Sequence, residues 1–196
     1  EHILPQRLDC PTYAGIFAAA DDSEVEQCLS RWRDWGVEGI VNWPAIGFVD
    51  GALRKEMERL GIGTLREAQV LRQAKLAGFS TMAFALSCEE TSVFLDAGVD
   101  GLILNLGLTQ ETDDIHEKRD RMQQAIARLN EMIQVVEQSP EKPICLAFGG
   151  PVTTSDDLTA LFRHSRAQGF AGGSVFERLP VETAVTSTIR RFRQSM

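Results

Sequence analysis

The chain has 196 residues, with 20 Lys+Arg against 28 Asp+Glu, a net charge of −8, and 43% apolar residues. This is the composition of a soluble globular domain rather than a disordered or fibrous chain. The acid excess and the scatter of Lys and Arg exclude general binding of nucleic acid or anionic membranes, and no apolar run reaches the roughly 18–20 residues that span a bilayer.

Strands are expected at Thr12–Ala18, Gly39–Asn42, Thr81–Leu86, Gly101–Asn105, Ile144–Phe148 and Gly172–Phe176. They are short, near-continuous apolar runs, as in parallel strands covered on both faces. Helical periodicity follows each one. Asp22–Trp35 carries Val25, Cys28, Leu29 and Trp32 on one side, with Asp21, Asp22 or Ser23 as cap. Gly51–Leu60 reads as an extra helix, and Leu65–Leu76 sets Leu65, Ala68, Leu71 and Ala74 on one face. Glu89–Ala97 is short; Asp114–Glu137 is long and amphipathic. Ser155–Gln168 opens with capping chemistry at Thr154, and Pro180–Phe192 with proline in its first turn.

A local pattern recurs as Gly36-Val37-Glu38-Gly39, Gly98-Val99-Asp100-Gly101 and Gly169-Phe170-Ala171-Gly172. Its first glycine is expected to end a helix in the left-handed conformation and its second to admit close helix–strand packing. Six alternating β/α units imply a parallel sheet with right-handed crossovers. They suit an open doubly wound sheet, or six-eighths of a (β/α)8 TIM barrel, which takes about 250 residues. Glycine-rich ends on the last two strands favour the barrel. Residues 1–196 then form one domain holding strands three to eight, with two units upstream of Glu1.

Ligands of parallel β/α folds sit at the carboxyl ends of strands. The glycine pairs Gly149-Gly150 and Gly172-Gly173, the latter followed by Ser174, fall at the last two ends and offer bare backbone N–H groups to an anion. Tight turning is the alternative reading. Asn42 and Asn105 end strands and can hold a carbonyl or hydroxyl, or cap a loop. Asp50 either caps the extra helix or reaches the site. Glu177 and Arg178 flank the last strand end, where a structural salt bridge competes with a ligand role. Glu89-Glu90 could take a divalent cation, but also opens a helix where acids are favoured. Cys10, Cys28, Cys88 and Cys145 lie far apart and read as reduced thiols of a cytoplasmic protein. His2, His116 and His164 have no metal-ligand spacing, and no Ser–His–Asp, Cys–His or P-loop pattern is present.

The stretch from Gly36 to Gly51, which contains Val41-Asn42-Trp43-Pro44-Ala45-Ile46-Gly47-Phe48-Val49-Asp50, and continues to Arg54 and Gly61-Ile62-Gly63, resembles the phosphoenolpyruvate hydrolase-like TIM-barrel family. The likeness continues through Ala14-Gly15-Ile16, Leu106-Gly107-Leu108-Thr109, Gly149-Gly150-Pro151-Val152 and Gly172 to Glu182, in register over essentially the whole chain. It implies an eight-stranded barrel and kinship with barrels handling phosphoenolpyruvate and phosphonopyruvate. The chain departs from the family where Ala19, Ala20 and Asp21 replace Thr-Asp-Pro, Asn105 and Phe148 replace histidines, and Val175 replaces a serine. Phe148 and Val175 cannot transfer protons.

The resulting expectation is an enzyme cleaving or hydrolysing a small phosphorylated or phosphono 2-oxo acid. Its substrate contacts are drawn from Asn42, Asp50, Asn105, Gly149, Gly150, Gly173, Ser174, Glu177 and Arg178, and its catalytic residues are unassigned. The cofactor is undetermined, Mg²⁺ being one candidate. The alternative is a non-catalytic ligand-sensing or partner-binding barrel. Trp43, Phe48 and Val49 form an apolar loop suited to a homo-oligomer interface or to the barrel mouth.

Overall fold

A computed structural model describes residues 10–194. Six β/α units of the TIM-barrel type follow one another along the chain. The parallel strands β1 (Tyr13–Ile16), β2 (Gly39–Asn42), β3 (Ser80–Ala85), β4 (Gly101–Asn105), β5 (Ile144–Phe148) and β6 (Gly169–Ala171) lie in one open sheet in sequence order. The helices are α1 (Asp22–Asp34), α2 (Gly51–Arg59), α3 (Thr64–Leu76), α4 (Cys88–Ala97), α5 (Ile115–Gln138), α6 (Ser155–His164) and α7 (Arg178–Gln194), with a short 3-10 turn at Ile46–Phe48. The chain divides into two compact units, residues up to 104 with 132–145, and 105–131 with 146 onward.

In the first unit, Tyr13 pairs with Gly39, Gly39 with Ser80 and Met82 with Gly101, so β1, β2 and β3 start level and β4 starts two residues further along. All five residues of β4 are buried, which explains why its sequence is an unbroken Leu-Ile-Leu run rather than an alternation. Core side chains include Val25 and Leu29 of α1, Val70, Leu71 and Ala74 of α3, and Phe94 of α4. The buried face of α3 runs Glu67, Ala68, Val70, Leu71, Ala74, whereas the expected face began at Leu65. Leu65 is 70% exposed, so the apolar stripe starts about half a turn later than its leucines imply.

Local chemistry fixes the helix starts. Asp21 and Glu24 exchange side-chain to backbone hydrogen bonds of 2.9 and 3.0 Å in a capping box that opens α1. Thr154 and Asp157 do the same for α6. Gly36 and Gly98 end helices with positive φ as their pattern requires, and Gly78 does the same after α3.

The third copy of the pattern behaves differently. α6 stops at His164, not Gln168, and Ser165 leaves it in an extended conformation. Gly169-Phe170-Ala171 is therefore the strand itself, paired to Leu146-Ala147-Phe148 in the second unit. The expected strand Gly172–Phe176 is instead a turn leading into α7, with Phe176 and Glu177 N–H groups donating to the Gly173 carbonyl. Along α7, Leu179 is buried, while Val181, Val185, Ile189 and Phe192 are exposed.

Among the described residues no helix is long and apolar enough to cross a membrane. Phe94 is wholly buried, and Phe94→Ala should lower unfolding free energy by about 3–5 kcal/mol. Urea unfolding checks this, as a lower midpoint at unchanged slope.

Candidate functional site

The residues singled out from the sequence fall at strand ends in both units. In the first, β2 ends at Asn42, 1% exposed. Its Oδ1 accepts the Phe84 N–H at 2.7 Å and its Nδ2 donates to the Phe84 carbonyl at 3.2 Å. The side-chain amide thus extends the β2–β3 ladder past Val41, paired with Met82. The same amide lies near enough to the carboxyl of Glu67 to lower its pKa. Asn42 is therefore fully engaged inside the protein.

A cis Trp43–Pro44 peptide follows, and the Ile46 N–H donates to Glu67 Oε1 at 2.8 Å. Glu67 is 2% exposed. Burial pushes its carboxyl up to about 7; the Glu90 charge adds to this, and the Ile46 N–H, Asn42 and Arg54 oppose it. Beside it, Arg54 Nη2 donates to Thr64 Oγ1 at 2.9 Å and pairs with Glu90 Oε1 at 3.2 Å, while Arg54 Nε meets Glu58. Glu90 Oε2 accepts the Leu86 N–H at 2.8 Å. The acidic pair foreseen as one feature is thus split: Glu89 is exposed in the first turn of α4, and Glu90 is drawn inward. Asp50 stands at the N-cap position of α2, exposed and without a side-chain capping bond. Trp43, Phe48 and Phe84 stack with ring centroids 5.0–5.9 Å apart, and Trp43 keeps 46% of its surface exposed.

In the second unit, Asn105 ends β4 and is 1% exposed. Its Oδ1 accepts the Gly107 N–H at 2.7 Å. Its Nδ2 is buried and has no hydrogen-bond partner. An unmatched buried donor costs about 1–3 kcal/mol, so an acceptor atom brought to it is favoured.

The glycine corner after β5 faces the same residue. Gly149 and Gly150 have φ of 71° and 66°. A Cβ at Gly149 would lie 2.4 Å from the Gly107 carbonyl oxygen, and one at Gly150 2.9 Å from Leu106 Cβ. No other residue type fits either position without displacing backbone. The Gly150 N–H donates to the Gly107 carbonyl at 2.8 Å, locking the two loops together.

Gly173 lies against the Phe148 ring, 3.6 Å from where its Cβ would be. Ser174 follows, its carbonyl accepting the Arg178 and Leu179 N–H groups at the start of α7. Arg178 ties this turn back: its Nη2 donates to the Thr109 carbonyl at 3.2 Å, and its Nη1 pairs with Glu182 at 2.8 Å. Glu177 is exposed beside it. Asn105, Gly149, Gly150 and Gly173 thus gather round the ends of β4, β5 and β6, with Ser174 and Arg178 adjoining.

Residues 1–195 match the sequence model of the family described as phosphoenolpyruvate hydrolase-like. The chain belongs to that family. Curated relatives of this phosphoenolpyruvate hydrolase-like chain include the Sinorhizobium fredii protein y4pA, whose name assigns it to transcriptional regulation without establishing it, 29% identical over 97% of this chain and 31% of its own length. The tomato ToMV resistance protein Tm-1(GCR237) is 26% identical over 97% of this chain and 26% of its own length. The chain thus spans under a third of either relative. Among solved structures, the M276A mutant of FabK from Thermotoga maritima superposes with a TM-score of 0.54 at 15% identity, covering 88% of this chain and 46% of that one. N-acetylneuraminate lyase from Mycoplasma synoviae gives 0.51 at 15% identity, covering 79% and 50%. These likenesses establish the fold.

Sequence reasoning missed Glu67 as a member of the strand-end network. The signal was present: Glu67 precedes Val70, Leu71 and Ala74 by three, four and seven residues, so a carboxylate occupies a core position of the helical period.

Because the folded-state pKa of Glu67 lies above its unfolded value near 4.5, the native state keeps a proton that the unfolded chain has lost between those values. Stability from this group is full at low pH and lost as pH rises to about 7. Glu67→Gln should therefore remove on the order of 3 kcal/mol of pH dependence. Urea melts of both proteins at about pH 5 and 8 measure the difference; equal dependence in both would assign it elsewhere.

Proposed function

We propose that the chain forms the ligand-binding face of an enzyme acting on a small phosphorylated or phosphono 2-oxo acid by hydrolysis or lyase chemistry. The carrying observation is the unspent Nδ2 of buried Asn105 at the glycine corner. In this reading Asn105 donates to the oxo or carboxylate oxygen of the substrate. Gly149, Gly173 and Ser174 receive its anionic end through backbone N–H groups, and Gly150, whose own N–H is held by Gly107, leaves the approach clear of a side chain. Asn42 acts as a positioning residue within its own unit, through Phe84. Arg178 holds the β4–α5 loop to the turn before α7. Membership of the phosphoenolpyruvate hydrolase-like family supports the substrate class. The four cysteines, none of them in a disulfide, suit a cytoplasmic setting.

Hydrolysis of phosphoenolpyruvate would add water oxygen to phosphorus and break the bond to the enol oxygen, and the enol would take a proton at its methylene carbon. Phe148 and Val175 bring no proton-transferring group to their strand ends, and Asn105 brings an amide. That favours a second reading, a ligand-sensing or partner-binding barrel without turnover.

Incubation of the chain with phosphoenolpyruvate or phosphonopyruvate, with and without Mg²⁺, should release pyruvate. Thermal stabilisation by the same compounds without pyruvate release selects the second reading, and no response of either kind removes both. Asn105→Leu, which keeps the branched shape but removes the donor together with the acceptor of the Gly107 N–H, should weaken ligand binding by about 10–100-fold, measured by calorimetric titration.

A further inference from the structure

We propose a second anion site in the unit of residues 105–131 and 146 onward, on the α5 side of the glycine corner and separate from the unspent amide of Asn105. A cavity of about 420 Å³ opens there, within the size range of small-molecule sites. One wall is α5, where Arg121, Gln124 and Arg128 line the cavity. They span seven residues, two helical turns, so they share one face. The opposite wall is Gly107 and Gly150, with Gln110 at the edge.

The charge balance of this lining is unusual for the chain. The protein carries a net charge of −8, yet among the described residues the cavity is lined by two arginines and no carboxylate. The neighbouring cavity at Thr109 and Arg178 shows the contrast, since Glu111, Glu117 and Glu182 all line it. Arg121 is held in place from outside the lining by Glu117, its Nη2 2.6 Å from Oε1, while its Nη1 donates to Gln110 at 3.2 Å. Guanidinium forks with a carboxamide between them match the oxygens of a phosphate group, which accept paired N–H bonds. The lining fits a small phosphorylated molecule. A carboxylate shares part of that chemistry, and the test separates the two.

Because Gly107 lines this wall and also donates to Asn105 Oδ1, the two sites meet at the Gly107 backbone. The inference rests on the cavity and its charge, not on the enzymatic reading.

Calorimetric titration with pyrophosphate at low ionic strength should show one-to-one binding, and citrate should bind more weakly. Arg121→Gln and Arg128→Gln should each weaken pyrophosphate binding about tenfold. Gln124→Glu, at an exposed position that tolerates a charge, should weaken it without either arginine being touched, which covers the case of an arginine variant failing to fold. No pyrophosphate binding, citrate binding as tightly, binding indifferent to all three α5 variants, or loss confined to Asn105→Leu each overturns the proposal; the last result would put the anion at the strand ends instead.

Discussion

A parallel strand that stops must still satisfy the backbone groups at its end, and here two asparagines meet that demand. Asn42 supplies both a donor and an acceptor to Phe84, continuing the ladder with side-chain atoms. Asn105 supplies only an acceptor, to Gly107. The difference between them separates a strand end whose amide is spent from one that keeps a donor in reserve. Where the amide is fully spent, the strand end is a fixed point from which Glu67, Ile46 and the aromatic loop are hung. Where half of it is unspent, the strand end keeps a directed donor, and its bond to Gly107 fixes which amide atom is left.

The glycines after β5 follow from the same demand. With the Gly107 carbonyl accepting the Gly150 N–H, the two loops run so close that side chains at Gly149 and Gly150 would occupy backbone space. Their absence of side chains is first a packing requirement. The side-chain-free surface beside Asn105 is its by-product.

Much of this was legible in the sequence. Strand spacing, helix caps at Asp21 and Thr154, and the strand-end positions of Asn42, Asn105 and the glycine pairs all come from periodicity and punctuation, which are local. The errors have local causes too. β6 lies inside the Gly169–Gly172 pattern because α6 ends early in an extended residue, where the other copies end in a left-handed glycine. Leu65 misled because leucine favours helices whether buried or exposed. What sequence could not show was pairing. The choice of Phe84 by Asn42, of Ile46 by Glu67 and of Thr109 by Arg178 joins residues 42, 21 and 69 positions apart, and composition carries no trace of such distances.

The carboxyl of Glu67 has a consequence of its own. With half-titration near neutrality, an ordinary buffered solution holds two populations of this molecule, alike in covalent structure and differing by one interior hydrogen ion. The segment that carries Trp43 and Phe48 is moored to that atom pair through Ile46, so each population anchors its aromatic rim to a different electrostatic ground.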